Sequence, residues 1–289
     1  MKRQDYPVAF AFPAALVFLL MFVTPTVTSF YYSLTDWNIH ARSVKFIGLA
    51  NFRELLGDVK LVAAIRNTIA FAVAVTLLRN LIGLVLALAL NTRMGLRNVL
   101  RTIFFTPYVI APIIIGYLFT ALYQPQHGLL NQALRAAGLQ AFAVDWLNDP
   151  RYALLATIMT DVWRTSGFAM VIYLAGLQVI PGELYESAEL DGAGGGSRFL
   201  HITFPLLAPS FTVNLVLSII GTMKVFVMIL VLTNGGPGFA TEVINTYIMA
   251  NFSLGLYGYA TAANLMLFLL IAVVGLPLLY ALRRREVEL

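Results

Sequence analysis

Six long apolar stretches separated by polar segments set the hydrophobic pattern of this chain. They cover about residues 8–33, 67–90, 103–123, 153–180, 209–232 and 260–282. A helix needs roughly 20 apolar residues to cross a bilayer, and its backbone polar groups must then pair within the helix. The pattern therefore predicts an all-α polytopic membrane protein, with six transmembrane helices in a single domain over residues 1–289.

Two features qualify the individual spans. The first stretch is longer than the apolar core of a signal peptide and ends without a small-residue cleavage site, so we predict a retained span. Prolines in or near the spans predict kinks and not breaks. These prolines are Pro13, Pro25, Pro107, Pro112 and Pro277.

The polar segment Leu34–Arg66 contains apolar residues at helical spacing. Asn51, followed by Glu54 three residues later, is typical of a helix N-cap with a capping box. Two interpretations stay open for this segment. Composition favours a surface helix lying on the bilayer, and the alternative is a rim for a partner that delivers a ligand.

Segment 181–209 differs from the other connections because it is acidic and rich in glycine. Pro181 suits the first position of a helix, and Gly192 suits its end. A second element over Ser197–Leu207 is predicted to end at Pro205, before the fifth span. Such a segment either docks into a basic cleft of a partner or is a solvated loop, and the residues alone favour neither. Its acidic residues are Glu183, Glu186, Glu189 and Asp191.

Composition agrees with a membrane location and narrows the possible partners. Apolar residues make up 60% of the 289 residues and charged residues only 11%, against roughly 25% charged in soluble domains. The net charge of the chain is +5. In a membrane protein such an excess of basic residues usually lies in the cytoplasmic loops, so it does not predict a nucleic-acid partner. The sequence has no cysteine, which excludes disulfides and thiolate metal sites.

The distribution of Lys and Arg predicts that both termini are cytoplasmic. With that orientation, nine basic residues lie in inner segments and seven in much longer outer segments. The inner residues are Lys2, Arg3, Arg93, Arg97, Arg101, Arg198, Arg283, Arg284 and Arg285. The outer residues are Arg42, Lys45, Arg53, Lys60, Arg66, Arg135 and Arg151.

The sequence contains no pattern typical of catalysis or of cofactor binding. No lysine follows the glycine pattern of a phosphate-binding loop, and no serine lies in a G-x-S-x-G motif. His40, His127 and His201 lie in different segments and do not predict a metal site. We therefore expect no cofactor, no metal and no enzymatic activity on this chain.

Three cations and one carboxylate lie inside the predicted spans. A charge there costs roughly 2.5–3.5 kcal/mol on insertion scales and marks a candidate functional residue. Asp161 lies one helical turn before Arg164, and this spacing favours a structural ion pair. Arg79, beside Asn80, has no partner in its own helix, and Lys224 either lines a path or extends to the surface. Further polar candidates for a transport path are Asn214, Ser218, Thr222, Asn245, Tyr247, Asn251 and Asn264.

The acidic segment also matches a known motif. The pattern ESA-x3-G-x9-I-x-FP, from Glu186 to Pro205, resembles the E-A-A-x3-G-x9-I-x-L-P motif of the membrane subunits of binding-protein-dependent ABC importers. The spacing is intact, and Ser187 and Phe204 depart from the motif. Other stretches are similar to the sugar-permease branch of this family: Asn51-Phe52, Arg101–Pro107, Gly128–Asn131, Leu174–Pro181 and Asn234–Thr241. The last stretch resembles the first permease of the maltose and glycerol-3-phosphate type, although the extra domain in the first outer loop of the maltose-type permease is missing.

The resemblance implies a type I ABC importer permease fold, with six transmembrane helices and a cytoplasmic coupling helix, in a bacterial inner membrane. It also implies a second permease subunit, an ATPase dimer that carries ATP and Mg, and an extracytoplasmic solute-binding protein. The cargo it implies is a sugar or a sugar derivative. By the same resemblance, the residues that couple to the ATPase are Glu186, Ser187, Ala188, Asp191, Gly192, Ile202 and Pro205.

Two questions stay open at this point. If the unpaired cations line the path, the cargo is an anionic sugar derivative, such as a sulfonated or phosphorylated one. The alternative function is a secondary transporter without an ATPase, although the sequence has no detectable inverted repeat.

Overall fold

The computed structural model describes residues 11–92 and 95–284, and its regular structure within these ranges is helical. An isolated bridge between Thr35 and Phe46 is the one β feature there. The helical membrane fold predicted from the apolar runs is therefore confirmed. Some residues used in the predictions lie outside the described residues, namely Lys2, Arg3, Arg93, Arg285 and positions 8–10 of the first span.

We number the helices of the described residues from α1 to α13. The first six are α1 (Phe12–Ser33), α2 (Ala50–Gly57), α3 (Val59–Leu90), α4 (Arg97–Val109), α5 (Pro112–Leu122) and α6 (Leu129–Ala136). The others are α7 (Ala153–Val179), α8 (Gly182–Leu190), α9 (Gly195–Leu206), α10 (Ala208–Met223), α11 (Val227–Leu232), α12 (Ile244–Ser253) and α13 (Tyr257–Arg283). α1 and α9 each include a π-helical turn, Leu19–Val23 and Phe199–Thr203.

Three of these helices are long and apolar enough to cross a membrane by themselves, namely α1, α3 and α13. Three bent pairs pass the same test together, namely α4 with α5, α7 with α8, and α9 with α10. By length and composition the described residues therefore supply up to six spans. The count reaches six only when each bent pair is taken as one span.

Two of the predicted spans are broken. α4 ends at Val109 and α5 begins at Pro112, at an angle of 97°, so the prediction that the prolines only kink the spans is wrong at Pro112. The cause is local, because proline lacks an N–H and disfavours a helical conformation in the preceding residue. Ala111 is accordingly extended, with φ −56° and ψ 134°. The predicted fifth span is also interrupted, since α10 ends at Met223 and α11 begins at Val227.

The chain divides into two compact units. The first comprises the chain through Leu61 together with Tyr247–Leu269, and the second comprises Val62–Thr246 together with the segment from Leu270 onward.

In the first unit, Asn51 connects two elements instead of capping a helix. It lies inside α2, after the N-cap residue Leu49, so its predicted N-cap role is wrong. Its buried side-chain amide donates to the carbonyl oxygens of Ser33 and Thr35, at 2.9 and 2.8 Å. These bonds satisfy carbonyl groups at the C-terminal end of α1, which the helix itself leaves unpaired.

In the second unit, α7 is the central helix. Met170 and Tyr173 of α7 are fully buried, in a core cluster that also includes Ala87 of α3. Gly167 allows α4 to pack closely on α7, because a Cβ there would collide with the carbonyl oxygen of Phe104. Small residues allow membrane helices to approach and to gain van der Waals contact. α7 thus determines where α3 and α4 lie in this unit.

Candidate functional site

A cavity of about 560 Å³ lies within the second unit. Its volume falls in the range of roughly 300–1,000 Å³ that is typical of small-molecule sites. Three cations and one carboxylate line it, which gives a formal charge of +2. The structure thus brings together the four charged residues that the sequence singled out inside the spans. They are Arg79, Asp161, Arg164 and Lys224.

Both breaks within the predicted spans lie at this cavity. Tyr108 and Pro112 line it from the break between α4 and α5, and residues 224–226 line it from the break between α10 and α11. Non-helical backbone at membrane depth is tolerated where it is buried in protein or lines a cavity. Asn245 supports the second break, because its Nδ2 donates to the carbonyl oxygen of Val225 at 3.3 Å.

Asp161 and Arg164 form the ion pair that their spacing predicted. Oδ1 of Asp161 accepts hydrogen bonds from Nη2 and Nε of Arg164, at 2.8 and 3.2 Å. The Arg164 guanidinium also lies 6.0 Å from the ring centroid of Tyr108, and that ring stacks on Phe168 with 4.5 Å between centroids. The carboxylate therefore compensates one of the three cations, and an aromatic pair lies beside it.

Arg79 has no ion-pair partner among the described residues. It is only 6% exposed, and its Nε is buried without a hydrogen-bond partner. Burying a charge without compensation costs several kcal/mol. Lys224 is different, because it is exposed at the C-terminal end of α10, where a cation interacts favourably with the helix dipole.

Asn80, a predicted path residue, connects three helices through its side-chain amide. Its Nδ2 donates to the carbonyl oxygen of Thr76 at 2.7 Å and to Oγ of Ser218 at 2.9 Å. Its Oδ1 accepts a hydrogen bond from the hydroxyl of Tyr173 at 2.8 Å. Neither Asn80 nor Ser218 lines the cavity, so in this conformation they hold α3, α7 and α10 together.

The other polar candidates on these helices, Asn214 and Thr222, are also buried. Nδ2 of Asn214 donates to the carbonyl oxygen of Ala169 at 3.1 Å, while its Oδ1 has no partner. The hydroxyl of Thr222 donates to the carbonyl oxygen of Ser218 at 2.8 Å, and Thr222 does line the cavity. Asn264 lies in the first unit and is exposed.

Tyr247, also predicted as a path residue, belongs to a hydrogen-bonded group in the first unit. Its hydroxyl donates to Oδ2 of Asp58 at 2.5 Å and lies 3.0 Å from the hydroxyl of Tyr259. Burial acts to raise the pKa of Asp58, but hydrogen bonds from Tyr247 and from backbone N–H groups outweigh it and lower that pKa. Burial, followed by the hydrogen bond to Asp58, raises the pKa of Tyr247. Asn251 donates to the carbonyl oxygen of Tyr247 at 2.9 Å.

The acidic segment consists of α8 and α9, and Gly192 ends α8. Its φ of +76° is a left-handed conformation that favours glycine. The N–H of Ala193 bonds to the carbonyl oxygen of Ala188 at 2.9 Å, and the N–H of Gly192 bonds to that of Glu189 at 3.0 Å. These two bonds form a Schellman motif, so α8 ends where the sequence predicted.

Two details of this segment differ from the prediction. Pro181 precedes α8 as its N-cap residue and is not the first helical residue. α9 runs from Gly195 through Leu206, with Pro205 in its last turn, instead of ending at Pro205. The π-helical turn that precedes Pro205 locally changes the hydrogen-bond pattern, which accommodates a residue without an N–H.

α8 has no buried residue, yet it is fixed to the helices behind it. The hydroxyl of Tyr185 lies 3.0 Å from Oγ1 of Thr203, and Tyr185 and Ile202 pack against the core cluster around Tyr173. Most of the predicted coupling residues are exposed, namely Glu186, Ser187, Asp191 and Gly192. The half-buried ones are Ala188, Ile202 and Pro205.

Two asparagines to which the sequence assigned no role hold connections in place in the second unit. Nδ2 of Asn67 donates to the carbonyl oxygens of Phe239 and Glu242, both at 3.0 Å, and so ties the glycine-rich turn after α11 to α3. Oδ1 of Asn131 accepts a hydrogen bond from Nε1 of Trp146 at 2.8 Å. The sequence offered one signal for each of these roles: Asn67 lies at the start of an apolar run, and Asn131 lies within the stretch Gly128–Asn131.

Among the described residues, no group of three or more His, Asp or Glu side chains is arranged to hold a metal ion.

Comparison with known proteins decides the family. Residues 79–286 match the family described as binding-protein-dependent transport system inner membrane component. The chain belongs to this family. It is 37% identical to the probable ABC transporter permease protein YurN of Bacillus subtilis (strain 168), with 94% of each protein covered. It is 36% identical to the trehalose/maltose transport system permease protein MalF of Thermococcus litoralis, over 90% of this chain and 87% of that protein.

The fold of this permease also has a counterpart among solved structures. A chain of a bacterial ABC transporter involved in the import of the acidic polysaccharide alginate superposes with a TM-score of 0.83 and is 28% identical, with 96% of this chain and 94% of that chain covered. The permease is therefore an inner-membrane subunit of an ABC importer, and ATP hydrolysis belongs to a separate chain. The family excludes the alternative of a secondary transporter.

Proposed function

We propose that this permease forms half of the translocation path of an importer for a sugar or a sugar derivative. The similar proteins support a carbohydrate cargo, because one is named for trehalose and maltose and another belongs to a transporter of an acidic polysaccharide. These cargoes differ in charge. The family therefore supports the chemical class, and the charge of the cargo depends on the lining of the path.

The proposed assembly contains a second permease, an ATPase dimer and an extracytoplasmic solute-binding protein. The family description supports dependence on a binding protein. A second solved structure, of the alginate transporter in complex with its alginate-bound periplasmic protein, supports the same arrangement. ATP and Mg belong to the ATPase chains in this proposal, because the sequence lacks a phosphate-binding loop.

We place both termini on the cytoplasmic side of a bacterial inner membrane. The support is the excess of basic residues in the short segments assigned to that side, including Arg97, Arg101 and Arg198. In this orientation α8 and α9 lie on the side where ATP is available.

The main support for coupling of this segment to the ATPase is the exposed acidic helix α8. It buries none of its own residues, ends sharply at Gly192, and is anchored to the core through Tyr185 and Ile202. Such a helix offers its surface to a partner and transmits a rigid movement to α7 and α10. ATP binding on the partner then shifts the population between two arrangements of the spans. The proposed coupling set is Glu186, Ser187, Ala188, Asp191, Gly192, Ile202 and Pro205.

The proposed path through this chain is the charged cavity of the second unit. Its lining residues Arg79, Asp161, Arg164, Thr222 and Lys224 are candidates for contact with the cargo. The buried residues Asn80, Asn214 and Ser218 and the half-buried Asn245 shape the helices around it.

Reversal of charge at Glu186 tests the coupling proposal. In the complete importer we expect Glu186→Lys to lose the ATPase chains during purification and to reduce uptake by more than about tenfold, since a hydrogen-bonded or paired charge contributes about 1.5–3 kcal/mol. The amount of permease in the membrane should not change, because Glu186 is exposed. Co-purification and radiolabelled sugar uptake measure both effects.

Glu54→Lys is the matched control, since Glu54 is also an exposed glutamate on a short helix. We expect it to retain the ATPase chains. Normal uptake and normal ATPase retention in both Glu186→Lys and Gly192→Asp would refute the coupling role.

A further inference from the structure

We propose that the cavity of the second unit is an oxyanion site, so that the cargo of this permease is a saccharide carrying a carboxylate, sulfonate, sulfate or phosphate group. Arg79 is the principal ligand of that group, and Arg164 and Lys224 supply further positive charge. This inference rests on the proposed function of carbohydrate import and specifies the chemical class of the cargo.

The first argument is the charge balance of the cavity. Its lining contains three cations and one carboxylate, and that carboxylate is already bonded to Arg164. A formal charge of +2 therefore remains inside the membrane-spanning part of the chain. Charged residues within membranes pair with one another or mark the pathways of substrates and ions. An anionic cargo would supply the missing counter-charge each time the path is loaded.

The second argument is the state of Arg79. A neutral sugar requires no buried cation, since hydroxyl groups are bound equally well by amides and hydroxyls, which cost far less to bury. Arg79 is nonetheless more than nine-tenths buried, lines the cavity, and has an Nε without a hydrogen-bond partner. Buried polar atoms are nearly always paired in folded proteins. Arg79 therefore lines the cavity as a buried cation without an ion-pair partner among the described residues, which is the arrangement expected of a residue that binds an anionic ligand.

The third argument is the chemistry of the donors. A guanidinium is planar and offers a fork of N–H groups that matches the oxygens of carboxylate, sulfonate and phosphate groups. Arg164 is held in position by Asp161, and Lys224 is exposed at the helix break. Next to these cations, Tyr108 and Phe168 provide the aromatic surface of the cavity. The site thus combines cations for an oxyanion with an apolar face for a sugar ring.

The test uses the complete importer, with its own binding protein, reconstituted in liposomes. The probes are glucose and maltose, each in neutral form and in forms oxidised to a carboxylate, sulfated or phosphorylated. Uptake and cargo-stimulated ATP hydrolysis are measured for every probe, and binding of each probe to the isolated binding protein is measured in parallel. We expect at least one anionic probe to be imported in preference to its neutral parent, and the series identifies which oxyanion is preferred.

Arg79→Gln is then compared with the wild type on the preferred anionic probe and on its neutral parent. We expect uptake of the anionic probe to fall by about tenfold or more, because a hydrogen bond to a charged group is lost, while slow uptake of the neutral parent stays within about twofold. Arg79→Lys should lose less uptake of the anionic probe than Arg79→Gln, since it keeps the charge but not the fork of N–H donors. Arg66→Gln is the matched control, because Arg66 lies on the same helix, is exposed and does not line the cavity.

Three results would overturn the inference. Preferred import of neutral probes would contradict it while leaving carbohydrate import intact. An equal loss of neutral and anionic uptake in Arg79→Gln would show that Arg79 pairs with the second permease and supports the structure. No uptake of any carbohydrate probe, with a binding protein that binds none of them, would refute the proposed function and this inference together.

Discussion

The acidic segment α8–α9 and the cationic cavity both concentrate charge, and they differ in how that charge is solvated. In α8 the carboxylates are exposed, and none of its residues is buried. In the cavity, Arg79 and Asp161 are each at least 94% buried. Exposed charges cost little and contribute little to the fold, whereas buried charges need a partner. The carboxylates of α8 are therefore available to bind another protein, whereas the charges of the cavity need counter-charges from groups within the membrane.

The same contrast appears in the backbone. α8 is a short regular helix that a single glycine ends by a Schellman motif. The cavity instead lies where two spans break, around residues 110–111 and 224–226. A surface helix such as α8 can end through residues that are close together in the chain, here Gly192 and its neighbours. A broken span requires neighbours such as Asn245 to satisfy its carbonyl groups.

The largest effect should come from removing the carboxylate of the cavity. We expect Asp161→Asn to destabilise the permease by about 3–5 kcal/mol, because it removes the carboxylate that compensates Arg164 inside the membrane-spanning part of the chain. Thermal unfolding of the purified importer in detergent measures this change. The double variant Asp161→Asn with Arg164→Gln should recover part of the loss. An unchanged unfolding temperature in the single variant would mean that the cavity is well hydrated, and the contrast with α8 would disappear.

A smaller effect is expected at the end of α8. Gly192→Ala places a Cβ in a left-handed conformation, which costs about 1–2 kcal/mol, although the space around it is open. We expect uptake to fall severalfold while the unfolding temperature of the whole importer hardly changes, because α8 is exposed. Gly196→Ala is the control, since Gly196 also has open space but no left-handed φ. Equal uptake in the two variants would argue against a role for the sharp stop.

The smallest effect is expected for the ion pair on the acidic segment. Nη1 of Arg198 lies 3.2 Å from Oε2 of Glu189, whose side chain is 74% exposed. Exposed pairs contribute less than about 1 kcal/mol and are screened by salt. Glu189→Gln should therefore leave the unfolding temperature unchanged at low and high salt. A clear decrease in the unfolding temperature that depends on salt would show that charge on α8 stabilises the fold in addition to any binding of a partner.

Several features of both regions were predictable from local patterns. The apolar runs predicted a helical membrane protein, and the i,i+3 spacing of Asp161 and Arg164 predicted their ion pair. The position of Gly192 predicted the end of α8. In each case the signal lies within one or two helical turns, where side chains are neighbours whatever the rest of the chain does.

The pairing of the polar candidates was not predictable. Asn80 bonds with Ser218 and Tyr173, which lie 138 and 93 residues away along the chain. Tyr247 bonds with Asp58 across 189 residues. An asparagine or tyrosine in an apolar run is equally compatible with a ligand site and with a helix contact, and only its neighbours in space distinguish the two.

The sequence by itself determined the family, the helical membrane fold and the spacing of the acidic motif, because these follow from composition and from residues close together in the chain. The tertiary structure alone decided that two spans break at one cavity and that three cations meet there with a single carboxylate. The physical reason is that a break or a buried charge is tolerated only when other helices supply hydrogen bonds and counter-charges. Those helices come from distant parts of the chain.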